Sequence, residues 1–144
     1  MSDPNASTKR ITRALLVGTY VEPSGRYEAS SLLDELSELV TTLGVPVGDR
    51  MLVQHREIHA RLFVGSGKAE EIAQLAKDQE LNLIVFDNEL SPSQQRNWEA
   101  LAGCPVIDRQ EVILDIFARR AQTREARLQI ELARAEYSLP RLTR

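Results

Sequence analysis

The sequence predicts an α/β protein: a four-stranded parallel sheet flanked by helices, followed by a long C-terminal helix. Three observations predict it. Short apolar runs alternate with amphipathic segments in the order strand-helix-strand-helix-strand-helix-strand, which calls for parallel pairing with right-handed crossovers. A chain of 144 residues is long enough for one such core and too short for two. Beyond Thr123 the pattern changes to apolar residues at Leu128, Leu132, Ala135 and Leu139, a coiled-coil-type spacing with Arg and Glu beside it. The division expected is a disordered polar lead over residues 1–12, an α/β domain over 13–121, and the start of a helical linker over 122–144.

Each element follows from its local pattern. Arg13 to Tyr20 has a continuous apolar stretch ending at Gly18, which suits a buried strand. Ser30 to Leu43 carries Leu32, Leu33, Leu36, Leu39, Val40 and Leu43 at helical spacing, with Ser30 or Ser31 as cap and Gly44 as stop. Val45 to Gln54 alternates as a second strand, and His55 to Arg61 is polar and irregular, an exposed loop. Phe63-Val64-Gly65-Ser66-Gly67-Lys68 leads into a helix bearing Ile72, Leu75 and Ala76. Leu81 to Phe86 is a third strand with a turn at Asp87 to Leu90. Ser91-Pro92 opens a helix that stops at Gly103, with Ser91 as cap and Pro92 at the first helical position. Pro105 to Asp108 is a short fourth strand, and Glu111 to Ala121 a helix whose Val112, Ile113, Ile116 and Phe117 face the sheet. The final helix is marginal alone, so its seam needs a partner: it reads as the first half of a hairpin whose return helix is missing. The alternatives are that it folds back on the domain or pairs with a second copy in a dimer.

Composition narrows the function class. With 42% apolar and 27% charged residues this is an ordinary globular chain. No run of eighteen or more apolar residues exists to span a membrane, and the polar first ten residues are no secretory signal. One cysteine, Cys104, excludes an internal disulfide and fits a reducing, cytoplasmic compartment. The net charge of -3 is uneven: Arg109 to Arg144 holds eight basic residues against five acidic, so the other 108 residues carry -6. A basic end on an acidic body suggests polyanion contact; a solvated, Arg-rich helix face is the plainer alternative.

Candidate sites are few. Gly65-Ser66-Gly67-Lys68 at a helix start could hold a phosphate through backbone N–H groups and the helix dipole. It is no P-loop, because positions 62 and 69 are Leu and Ala, and it is not G-x-G-x-x-G, because position 70 is Glu. A glycine turn into a helix is the alternative. A nucleotide at the C-terminal edge of the sheet would meet Gly18, Gly65 and Asp87, although a structural turn is the simpler role for Asp87. His55 and His59 have the i, i+4 spacing of a metal pair, but they lie in a loop and no metal site is expected. No nucleophile elbow or Cys/His pairing has a credible context, so the chain shows no catalytic constellation.

Three stretches, in order, carry a family resemblance. They are Phe63-Val64-Gly65-Ser66-Gly67-Lys68-Ala69-Glu70-Glu71-Ile72, then Phe86-Asp87-Asn88-Glu89-Leu90-Ser91-Pro92-Ser93-Gln94-Gln95-Arg96-Asn97, then Val106-Ile107-Asp108-Arg109 through Ile113-Leu114-Asp115-Ile116-Phe117-Ala118-Arg119-Arg120-Ala121. With Thr123-Arg124-Glu125, Leu128-Gln129 and Leu139-Pro140-Arg141-Leu142, they resemble the N-terminal region of HflX-type GTPases. The resemblance implies an α/β domain, an antiparallel two-helix linker and a Ras-like GTPase domain, of which only the first and the start of the second are in this chain. It implies a parent protein that uses GTP and Mg²⁺, binds the large ribosomal subunit and its rRNA near the peptidyl-transferase region, and acts in ribosome splitting or rescue. RNA activity and ATP binding are associated with the N-terminal part in some members. Ser66 stands where members often have Lys. On this reading phosphates would be met by Lys68, by His55, Arg56, His59 and Arg61, and by Arg119, Arg120, Arg124 and Arg127.

Overall fold

The computed structural model describes residues 12–142; the lead expected over 1–12 falls almost entirely outside them. The strands are β1 (Ala14–Tyr20), β2 (Val47–Gln54), β3 (Leu83–Phe86) and β4 (Val106–Asp108). The helices are α1 (Arg26–Thr42), α2 (Ser66–Asp78), α3 (Pro92–Ala102), α4 (Arg109–Arg120) and α5 (Arg124–Leu142). All strand pairs are parallel in the order β2-β1-β3-β4, as the alternating pattern predicts. Ala14 to Val17 are wholly buried because β1 is sandwiched between two helical layers. One face packs Leu15, Val17, Ile84 and Phe86 against α2, α3 and the 62–64 segment. The other packs Ala14, Leu16 and Val85 against α1 and α4. At the foot of β2 the pairing slips by one residue: Ala14 faces Val47 but Leu15 faces Asp49. Gly48 is the extra residue, and a Cβ there would overlap the Leu81 side chain.

Several boundaries differ from the sequence reading: strand β3 starts at Leu83 rather than Leu81, whose N–H still donates to the Ala76 carbonyl at the end of α2, and α4 starts at Arg109 rather than Glu111. Helix α1 begins at Arg26 rather than Ser30, because a single 3-10 turn, Pro23–Gly25, feeds the chain directly into it. Ser30 and Ser31 are therefore interior, and no side chain caps the helix. Strand β2 begins at Val47, two residues later than expected, since Val45 still closes the end of α1 by donating to the Val40 carbonyl. The α3 signals hold in detail: Ser91 and Gln94 form a reciprocal capping box, and Gly103 ends the helix at φ +71°. Helix α3 also protects the sheet edge. Gln95 Nε2 donates to the Val106 carbonyl at 2.8 Å, and Glu99 accepts from the Val106 N–H at 3.1 Å. Both backbone polar groups of Val106 on edge strand β4 are thus satisfied without another strand.

Helix α5 folds back along α3 and α4, and the face it uses is not the apolar seam. Ala126, Ile130, Ala133, Tyr137 and Arg141 are partly covered, whereas Leu128, Leu132, Leu139 and Leu142 point outward, with Leu132 61% exposed. No residue of α5 is fully buried. Polar contacts fasten it instead, centred on Asp108, which is 1% exposed. Asp108 caps α4 by accepting from the Glu111 N–H, and also accepts from the Leu90 N–H at 2.9 Å and the Tyr137 hydroxyl at 2.8 Å. Arg141 donates to the Leu90 carbonyl at 2.5 Å and lies over the Tyr137 ring.

Glu111 sits beneath this contact. Burial, then the neighbouring Asp115 and Asp108 carboxylates, push its carboxyl up to about 7, against the opposing pull of Arg141. The folded state therefore binds a proton more tightly than the unfolded chain. This contribution is fully present below pH 4.5 and is lost as pH rises through about 7. Glu111→Gln should remove that slope and, at pH 8, stabilise the chain by about 1–2 kcal/mol once solvent screening is allowed for. Urea midpoints at pH 5 and pH 8 check this, with the gain confined to the higher pH.

Candidate functional site

In a parallel sheet the strand ends and the helix N-termini share one edge, and here that edge carries a groove. Its floor is the end of edge strand β2, from Met51 to Gln54, and its rim holds His55, Arg56 and Lys68, with no acidic residue in the lining. The cavity is about 570 Å³. Lys68 comes from the first turn of α2, which Gly65 enters in an extended conformation without a side-chain cap. The Lys68 ammonium lies 3.3 Å from Glu71, both groups being exposed. Such a pair is weak and exchanges readily for another anion. His55 Nδ1 is 2.7 Å from the Glu57 carbonyl, and its ring packs on Phe63 at 5.6 Å.

The rest of the basic loop is a tight turn. His59 and Phe63 exchange two backbone hydrogen bonds of 2.9 Å, which leaves Arg61 exposed at the tip and Phe63 at φ +71°. That left-handed conformation is costly for an aromatic residue and persists because its surroundings hold it. Helix α3 supplies the hold from one face. Gln94 Nε2 donates to the His59 carbonyl at 3.1 Å, Asn97 Nδ2 to Arg61 at 3.0 Å, and Trp98 Nε1 to Leu62 at 2.7 Å. None of these three was singled out from the sequence as a site residue. The i, i+3, i+4 spacing of Gln94, Asn97 and Trp98 was a signal of a shared face, but not of what that face would meet.

The other candidates lie elsewhere. Asp87 Oδ1 is gripped by Arg109, whose Nε and Nη2 approach to 2.6 and 2.5 Å; the same guanidinium bonds Glu35 at 3.0 Å and the Leu32 carbonyl at 2.8 Å. Arg109, at the start of α4, thus ties α1 to Asp87 at the end of β3. Gly18 is close-packed: an added Cβ would lie 3.3 Å from Leu52 and 3.4 Å from Leu33. Of these candidates only Lys68 lines the groove; Gly18, Gly65, Ser66, Gly67 and Asp87 do not. Helix α4 runs back from the strand ends, so Arg119, Arg120, Arg124 and Arg127 cluster at the far edge of the sheet, about 18 Å away along a twelve-residue helix. Arg119 there donates to the Leu43 carbonyl and Arg127 to the Ala121 carbonyl. The basic residues form two patches at opposite ends.

Comparison with known proteins decides the lineage. Residues 30–118 match the family described as GTP-binding GTPase N-terminal, and residues 120–144 match the GTP-binding GTPase middle region. The chain belongs to the HflX-type GTPase family. GTPase HflX of Akkermansia muciniphila is 55% identical over 134 residues, covering 93% of this chain and 31% of that protein. GTPase HflX of Spirochaeta thermophila is 46% identical over 130 residues, covering 90% of this chain and 31% of that protein. Among solved structures, a GTP-binding protein of Sulfolobus solfataricus in complex with GDP matches 91% of this chain and 38% of its own, at 26% identity and TM-score 0.59. The chain spans about a third of the length of these HflX relatives and corresponds to their N-terminal part.

The residues present do not fit the GTP and Mg²⁺ of a GTPase site. Lys68 is followed by Ala69, which offers a metal no hydroxyl, and the strand-end acid Asp87 is held by Arg109. Among the described residues no group of three or more His, Cys, Asp or Glu could hold a metal ion. No described helix is long and apolar enough to cross a membrane. Burial, then Glu99, pushes the Cys104 thiol up, which keeps it protonated and poorly nucleophilic.

Proposed function

We propose that this HflX segment binds the RNA of the large ribosomal subunit through the groove-and-loop edge formed by Lys68, His55, Arg56, His59 and Arg61, on behalf of a protein that splits or rescues ribosomes. The observation that carries the reading is the lining of the groove: His55, Arg56 and Lys68 border it with no acidic residue among them, and the loop beside it is pinned from behind by α3 so that its tip is presented outward. A preordered loop binds a polyanion without a large ordering cost. The patch of Arg119, Arg120, Arg124 and Arg127 suits a second backbone contact. GTP and Mg²⁺ chemistry belongs to the remainder of the parent protein, and a free nucleotide in the groove is the competing occupant.

Co-sedimentation of the chain with purified large subunits at 50 and 200 mM salt tests the reading. Binding should weaken steeply with salt, because each neutralised phosphate releases counterion. The double variant Arg56→Glu, Lys68→Glu should bind about tenfold or more weakly with a shallower salt dependence. Unchanged binding by the double variant sinks this surface. Saturable heat with ATP, lost in that variant, would assign the groove to nucleotide instead.

A further inference from the structure

We propose that α5 controls the basic loop at a distance: docking of Tyr137 and Arg141 on Asp108 and Leu90 sets α3, and α3 sets the loop His55–Phe63. Leu90 immediately precedes the Ser91 cap of α3, and both its backbone polar groups are taken by this latch, the N–H by Asp108 and the carbonyl by Arg141. Gln94, three residues into the capping box, then holds the His59 carbonyl, and Asn97 and Trp98 hold the next two points of the turn. Every step is a named hydrogen bond, and the three loop contacts come from one rigid helix.

Two features make the arrangement a switch rather than a brace. The α5 side is lightly held, since no α5 residue is fully buried. Its contact with α3 is also imperfect: Arg141 Nε, Arg96 Nη1 and Gln95 Oε1 are buried there without partners. Buried polar atoms without partners cost free energy in the docked state, so each of the three lowers what docking gains. The loop side is strained, with Phe63 at φ +71° inside a two-bond turn. A strained turn held by three side-chain bonds relaxes when its clamp shifts. The element with two positions is α5, docked or released, and a force on the linker would bias it.

Hydrogen exchange on the 1–144 chain tests the coupling without any RNA, so it stands or falls separately from the proposed function. In Arg141→Ala, the His59 and Phe63 amides should exchange about tenfold or more faster, together with those of α5, while Leu15 and Val17 in β1 keep their protection. Leu132→Ala, on the outward face of α5, should leave the loop unchanged. If α5 amides accelerate while His59 and Phe63 retain wild-type protection, the coupling is overturned. Should Arg141→Ala also accelerate β1, the milder Tyr137→Phe, which deletes one hydroxyl, decides by the same comparison.

Discussion

Asp108→Ala should lower stability by about 4 kcal/mol, measured as the shift of the urea unfolding curve at pH 7. The carboxylate is almost wholly enclosed and serves three donors on three segments: the Leu90 N–H, the Glu111 N–H and the Tyr137 hydroxyl. Loss of a helix cap alone costs about 1 kcal/mol. Each donor left buried without an acceptor adds about 1–3 kcal/mol, reduced where water can follow. Arg141, whose Nη2 lies 3.9 Å from the other carboxylate oxygen, would also lose its counter-charge. Burial and the adjacent Asp108 push the Tyr137 phenol up, so it remains a hydroxyl donor that needs an acceptor across the working pH range. Asp108→Asn keeps one acceptor oxygen and should cost about 1–2 kcal/mol. Equal losses for Ala and Asn would show that negative charge, not hydrogen bonding, is what the site requires.

Trp98→Ala should be at least as damaging, at about 4–5 kcal/mol in the same measurement. Trp98 is the largest of the fully buried side chains, stacks obliquely on Phe86 at 4.9 Å and donates to the Leu62 carbonyl. Truncation opens a cavity between α3 and the sheet, for which Trp→Ala costs about 3–5 kcal/mol, and orphans a buried carbonyl for about 1 more. A loss of that size approaches the whole stability of an ordinary domain, about 5–15 kcal/mol. Trp98→Phe retains most of the volume but no donor. It should cost about 1–2 kcal/mol and free the Leu62 end of the loop, visible as faster exchange at the Phe63 amide. A Phe variant as unstable as the Ala variant would place the importance of the indole in its N–H donor rather than in its volume.

Most of the architecture was legible because it rests on local rules. The buried strand β1, the Ser91-Pro92 start and Gly103 stop of α3, and the strand-helix alternation are each written in a few adjacent residues. Where a local rule misled, another local feature overrode it: Ser30 resembles a cap, but the Pro23–Gly25 turn had already started the helix. The site was legible only in part. Gly65 to Lys68 stands out by composition, but that Lys68 and His55 line one groove has no signal in the sequence. That Asp87 is silenced by Arg109, 22 residues away, has no sequence-local signal.

The same division holds for the C-terminal helix. Its sequence alone determined that a long amphipathic helix follows the domain, because apolar residues four, three and four apart can line up only on a helix. Tertiary structure decided which face docks, and it chose Tyr137 and Arg141 over the leucines. The physical reason is that Asp108 and the Leu90 carbonyl, both set at the end of the sheet by the fold, are polar groups that need partners once covered, whereas Leu128, Leu132, Leu139 and Leu142 stay exposed on the other face of the helix. Periodicity measures how a helix is divided into faces; only the folded neighbour determines which face it needs.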